Sequence, residues 1–142
     1  MKLLREIEEL AAVRIEKDRL DKEEKRLLTP ILSDYSMIPK VYGWFSEVLT
    51  GMGITPDIKS DSQRKKFLLI IMKLYSPQRL SGGRMQPFLR KAIQKLFSNI
   101  SAPIVSIDTG KVLFYYKTYE SDRKTIDEIY DKIMGKLSSL KD

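Results

Sequence analysis

Six consecutive apolar residues, Phe67-Leu68-Leu69-Ile70-Ile71-Met72, stand between Lys66 and Lys73. No single face of a helix or strand can hold such a run, so the element that carries it must be buried on nearly all sides. The basic residues Arg64-Lys65-Lys66 lead into it, and Tyr75-Ser76-Pro77 close it. Asp61 or Ser62 is placed to cap a helix upstream. The run therefore predicts a central buried helix, with the remaining elements packed around it. It is far shorter than the roughly 20 apolar residues that span a bilayer, so no membrane partner is expected.

The flanking sequence supplies more helices. Residues 2–28 hold no Gly or Pro and are rich in Leu, Glu, Lys, Arg and Ala, which predicts one long amphipathic helix. Leu3, Leu4, Ile7, Leu10, Ala11 and Arg14 keep a helical stripe, whereas Leu20 is the one apolar residue of 16–26. Leu3 and Leu10, and separately Val13, Leu20 and Leu27, repeat every seven residues. This segment reads either as an arm that forms a homo-oligomer or as a helix docked on its own domain. Thr29-Pro30 ends it, because proline disfavours helix in the residue before it. Residues 30–142 then form a single helical domain. Pro39 suits a first helical turn, with Ser36 as cap, and Val41, Tyr42, Trp44, Phe45, Val48 and Leu49 point to the core before Gly51 and Gly53. From a cap at Ser121, Ile126, Ile129, Tyr130, Ile133, Met134 and Leu137 mark a last helix to Leu140. The fold class is all-α or mainly α, with five to six helices.

What the chain lacks narrows its chemistry. Its 142 residues make one ordinary domain and contain no cysteine and no histidine. Disulfides, thiolate metal sites, thiol nucleophiles and Ser-His catalysis are thereby excluded. The expectation is a non-enzymatic protein without a cofactor or metal. The opening Met1-Lys2-Leu3-Leu4-Arg5-Glu6 reaches acidic residues before any apolar region, unlike a secretory signal. A reducing, cytoplasmic location fits these features.

Charge is unevenly distributed. Residues 1–60 carry 10 basic and 11 acidic side chains, and residues 120–142 carry 5 and 6. Residues 61–119 carry 11 basic side chains against two acids, Asp61 and Asp108. A solubilising face interleaves both signs, as Glu16-Lys17-Asp18-Arg19 does here. The middle segment instead implies a localised positive field, which suits a polyanion such as nucleic acid. The Ser81-Gly82-Gly83-Arg84 turn lacks P-loop spacing and reads as a flexible turn, although Arg84 could meet a phosphate.

Within this segment, residues 86–97 predict a short basic helix. Phe88, Leu89, Ala92, Ile93, Leu96 and Phe97 face inward, and Arg90, Lys91 and Lys95 face outward. Ser101 can cap a following helix with Pro103 in its first turn. The next stretch has two readings. Its β-branched and aromatic residues, with Asp108-Thr109-Gly110 between them, also suit a β-hairpin at 104–116. The run Ala92-Ile93-Gln94-Lys95-Leu96-Phe97, followed by Ile100-Ser101-Ala102-Pro103-Ile104-Val105, resembles the helix-turn-helix of sigma-factor region four and of response-regulator output domains. In that pattern a helix ends in Leu, an Ile/Val-Ser turn follows, and the recognition helix holds an inward Val. Leu96, Ile100, Ser101 and Val105 fill those places. The resemblance implies DNA binding in a regulatory or accessory role. It places Ala102, Ser106 and Thr109 toward base edges and Lys111 and Lys117 toward phosphate. Gly110 would then lie inside a helix, at roughly 1 kcal/mol relative to Ala. Two further function classes stay open. One is an assembly protein that associates through residues 1–28. The other is an RNA-binding module that stacks bases on Phe114, Tyr115, Tyr116 and Tyr119.

Overall fold

The computed structural model describes residues 1–140. Seven α-helices follow in order: α1 (Lys2–Leu28), α2 (Ile38–Gly51), α3 (Asp61–Tyr75), α4 (Pro77–Leu80), α5 (Leu89–Leu96), α6 (Ala102–Thr118) and α7 (Glu120–Leu140). A 3₁₀ turn, Tyr35–Met37, precedes α2. The described residues contain no strand, and none of their helices is long and apolar enough to cross a membrane.

Helix α3 is the axis of the fold. Every residue from Phe67 to Met72 is buried, as are Leu74 and Tyr75. It packs against α2, α4, α6 and α7, and α7 also covers α2 and α6. An aromatic cluster locks α2 to α3 and to the end of α5: Phe67 meets Tyr42, Phe45 and Phe97 at ring-centroid distances of 5.1, 5.3 and 5.9 Å. Such edge-on contacts add to the burial of the rings themselves. The long-range tie at the other end of α3 is made by backbone, since the Leu74 carbonyl accepts from the amides of Ile31 and Leu32, both at 2.9 Å.

The caps differ from those expected. Ser60, not Asp61 or Ser62, caps α3 by accepting from the Gln63 amide. Asp34 accepts from the amide and hydroxyl of Ser36, so Ser36 is held rather than holding. Helix α7 begins at Glu120, which leaves Ser121 inside its first turn. Helix α5 is shorter than residues 86–97, because Phe88 adopts φ +67 and stands exposed instead of facing the core. A left-handed aromatic residue cannot continue a helix backward.

The hairpin at 104–116 is replaced by α6. Ser101 accepts from the Ile104 amide, and Pro103 sits in the first turn, where a missing N–H costs nothing. Val105, Thr109 and Val112 then fall on one buried face. A lone two-stranded ribbon would be marginal, whereas a helix buries these side chains against α3 and α7. Tertiary packing therefore overrides the strand preference of the β-branched residues.

Helix α1 departs most from a docked helix. It has no buried residue, and only Glu23 and Leu28 are even half-buried. Its base touches α4. Exposed ion pairs, Glu16 with Arg19 and Glu23 with Arg26, brace its charged second half.

Candidate nucleic-acid interface

Helix α6 organises the basic segment. Its inward face holds Val105, Asp108, Thr109 and Val112. At helical spacing the opposite face holds Pro103, Ile107, Gly110, Lys111, Phe114 and Lys117, all exposed. The lysines expected to meet phosphate, Lys111 and Lys117, are therefore free to do so. Ala102 lies half-buried in the first turn, and Ser106 is half-buried on the flank.

Ser106 is a meeting point for two guanidinium groups. Arg90 of α5 donates to its hydroxyl at 3.0 Å, and Arg79 of α4 donates to its carbonyl at 3.3 Å. These bonds bring α4, α5 and the first half of α6 together around two cations. Arg84 is exposed in the loop between α4 and α5. That loop is fixed by Gly83, whose amide donates to the Gln78 carbonyl at 2.7 Å. A Cβ there would stand 2.8 Å from the same oxygen, so only glycine fits. Lys91 is exposed beside Phe88, with its Nζ 6.0 Å from the ring centroid. Lys95 is exposed on the side of α5 that borders Tyr35 and Pro39, away from Ser106.

Thr109 cannot play the expected part. It is fully buried, and its hydroxyl donates to the Val105 carbonyl at 2.7 Å. With Val105 inward, the residue four positions later must also turn inward, so the two expectations for this helix were incompatible. Ile107, Gly110 and Phe114 hold the outward positions instead, and the periodicity of α6 was the signal that could have found them.

One cation of the segment is structural. Arg64 donates to Asp108 Oδ2 from Nε at 3.0 Å and from Nη2 at 2.8 Å, and its Nη1 lies 3.0 Å from Asp61 Oδ1. This pins α3 to α6 and consumes both acids of the segment. Among the described residues, Arg64 is the one basic side chain of 61–119 in an ion pair.

The aromatic residues divide. Tyr116 donates to Asp127 Oδ1 at 2.6 Å, and that bond, with partial burial, raises its hydroxyl pKa above the ordinary range. Phe114, Tyr115 and Tyr119 form a surface cluster with centroids 6.1–6.4 Å apart, and Tyr115 and Tyr119 border Lys65 and Lys66. An apolar groove of about 350 Å³ between α3, α4, α6 and α7 is lined by Leu69, Ile70, Leu80, Leu113 and Ile126. Among the described residues, no group of three or more Asp or Glu side chains is placed to hold a metal ion. Comparison with family models, curated proteins and solved structures finds no match to this chain.

Proposed function

We propose that this protein binds nucleic acid, with duplex DNA as the polyanion, through the cationic surface of α4, α5 and α6, in a regulatory or accessory role rather than a catalytic one. The observation that carries this reading is the state of the cations. Among the described residues, ten of the eleven basic side chains in residues 61–119 have no carboxylate partner, while the two acids of the segment are spent on Arg64. Arg84, Lys111 and Lys117 are exposed and make no ion pair among the described residues, and Lys91 is exposed over the Phe88 ring. Unpaired cations of one sign favour phosphate, because each contact releases a condensed counterion. Burial of Thr109, and the bond that occupies Ser106, favour backbone contact over base-edge readout.

The test is duplex affinity against salt. About four to six phosphate contacts give a log–log slope of roughly −4 to −5. Replacing Arg90, Lys91, Lys111 or Lys117 by Ala weakens all sequences alike and lowers the slope by about one per lost contact, and Lys95→Ala does so only if the contact surface wraps round α5 to the Tyr35 side. Lys22→Ala and Lys25→Ala on α1 change neither quantity. Absence of duplex binding at ~50 mM salt ends this reading.

A second reading, assembly through α1, rests on a separate observation. Eight large apolar side chains of α1 past Met1 are exposed: Leu3, Leu4, Ile7, Leu10, Val13, Ile15, Leu20 and Leu27. A protruding helix with this much exposed apolar surface gains by meeting a partner. Light scattering of the full chain across a concentration series tests it.

A further inference from the structure

Two helix faces in this molecule are apolar and uncovered, and they complement each other. The first is the tip of α1, where Leu3, Ile7 and Leu10 are 70%, 56% and 62% exposed on one stripe. The second is the outward face of α6, where Ile107 and Phe114 are 50% and 57% exposed. Gly110 lies between them, with no atom within 4 Å of the place its Cβ would take. A glycine there costs about 1 kcal/mol of helix stability relative to Ala, and nothing in the chain's own packing requires it. On a surface helix such a notch allows a second backbone to come close. Ile107, Gly110 and Phe114 have the i, i+3, i+7 spacing of a helix-docking seam.

Charge matches as well. At helical spacing Glu6 and Glu8 flank the Leu3–Leu4–Ile7–Leu10 stripe on its two sides, and no base lies between Arg5 and Arg14. The seam is flanked by Lys111 and Lys117, and the one acid of α6, Asp108, is buried against Arg64. The tip is not seated on the seam of its own chain, since α1 has no buried residue and meets the domain at its contact with α4. At 1.5 Å per residue, Ile7 lies roughly 30 Å from the point where α1 joins the domain, and the helix is unbroken between them.

We propose that the tip of α1 docks on the Ile107–Gly110–Phe114 seam of a second copy of this chain, and that two copies exchange arms in a closed dimer. This rests on the assembly reading above and names its docking face. A reciprocal exchange closes with two-fold symmetry, so each copy gives one arm and receives one.

The experiment measures the mass of the full chain by sedimentation and native mass spectrometry. Wild type is a dimer. Phe114→Glu weakens dimerisation by more than about tenfold, because it replaces the largest apolar contact of the seam with a carboxylate that docking would desolvate and that the arm's own glutamates repel. Gly110→Leu fills the notch and abolishes the dimer, while its melting temperature holds or rises; that separates lost docking from lost folding. Two charge-reversed chains complete the test. One carries Glu6→Lys and Glu8→Lys, and the other carries Lys111→Glu and Lys117→Glu. Each alone is a monomer, and an equal mixture forms a heterodimer, since each arm then meets a seam of opposite charge. A wild-type chain that stays monomeric overturns both the docking face and the assembly reading. A dimer that survives Phe114→Glu and Gly110→Leu, or a mixture that fails to pair, overturns the docking face and leaves assembly through α1 standing.

Discussion

Removing the carboxylate of Asp108 is expected to be among the most damaging single changes to this fold. Asp108 is 4% exposed and receives two hydrogen bonds from Arg64, whose side chain is itself 12% exposed. Asp108→Ala leaves that guanidinium with one remaining partner, Asp61, whose side chain is 73% exposed. Breaking a buried pair from one side costs about 3–5 kcal/mol, mostly the penalty of a stranded charge. That is a large share of the roughly 5–15 kcal/mol that holds a domain folded. For a chain of this size each kcal/mol moves the melting temperature by roughly 3–4 °C, so the midpoint should fall by about 10–20 °C. Urea denaturation followed by the fluorescence of Trp44, a buried single tryptophan, reads the change directly. Two controls isolate the cause. Asp61→Ala removes only the exposed pair and should cost about 0–1 kcal/mol. The double change Arg64→Met with Asp108→Leu removes both charges and should recover most of the loss. The reasoning fails if Asp108→Ala costs less than about 1 kcal/mol, or if the double variant is as unstable as its two parents combined.

Three further outcomes are expected. Trp44→Ala truncates a buried side chain of α2 and should cost about 3–5 kcal/mol in the same unfolding assay, while a tolerated change would remove α2 from the core. The Tyr75 hydroxyl, which donates to the Asp34 carbonyl at 2.8 Å, is pushed up to about 12 by burial. Its folded pKa lies above the ordinary 10.0, so its stabilisation is complete below about pH 10 and fades as pH rises through about 12. Tyr75→Phe should flatten that alkaline loss of stability, and a wild-type protein equally stable at both ends of this window would contradict it. Thr109→Val removes a hydroxyl bonded inside α6 and should cost about 1 kcal/mol without changing any preference among DNA sequences, whereas an altered preference would restore Thr109 as a reader of bases.

Much of the fold was legible because its strongest signals were patterns rather than local preferences. The run from Phe67 to Met72 could only be buried, and α3 is the helix that the others surround. Residues 2–28 formed the expected helix because no breaker interrupts them, and Thr29-Pro30 stops it. The failures lie where two local rules competed. Val105, Ile107 and Val112 favour a strand, yet the Ser101 cap and an inward stripe four and seven residues apart favour a helix. Only the presence of α3 and α7 to receive that stripe decides the contest. The α3 cap was missed by a residue or two, since Asp61 and Ser62 have in Ser60 a neighbour able to do the same work, while α2 starts without a side-chain cap behind a 3₁₀ turn that Asp34 caps.

The site was legible as charge and illegible as geometry. Counting located the basic segment, and ten of its cations have no ion-pair partner among the described residues, but counting cannot tell Arg64 from Lys65. The difference lies in a carboxylate 44 residues away, Asp108, which no local pattern connects to Arg64. The same limit applied to α6. Once Val105 was placed inward, helical spacing dictated that Thr109 follow it and that Ile107, Gly110 and Phe114 face out. Those three residues make poor partners for phosphate and good ones for another helix. The exposed lysines and the apolar seam therefore lie on one face, so an arm docked there would cover Lys111 and Lys117. Nucleic-acid binding and arm exchange, if both occur, must compete for α6, whereas Arg79, Arg84 and Arg90 stand on its α4 and α5 flank.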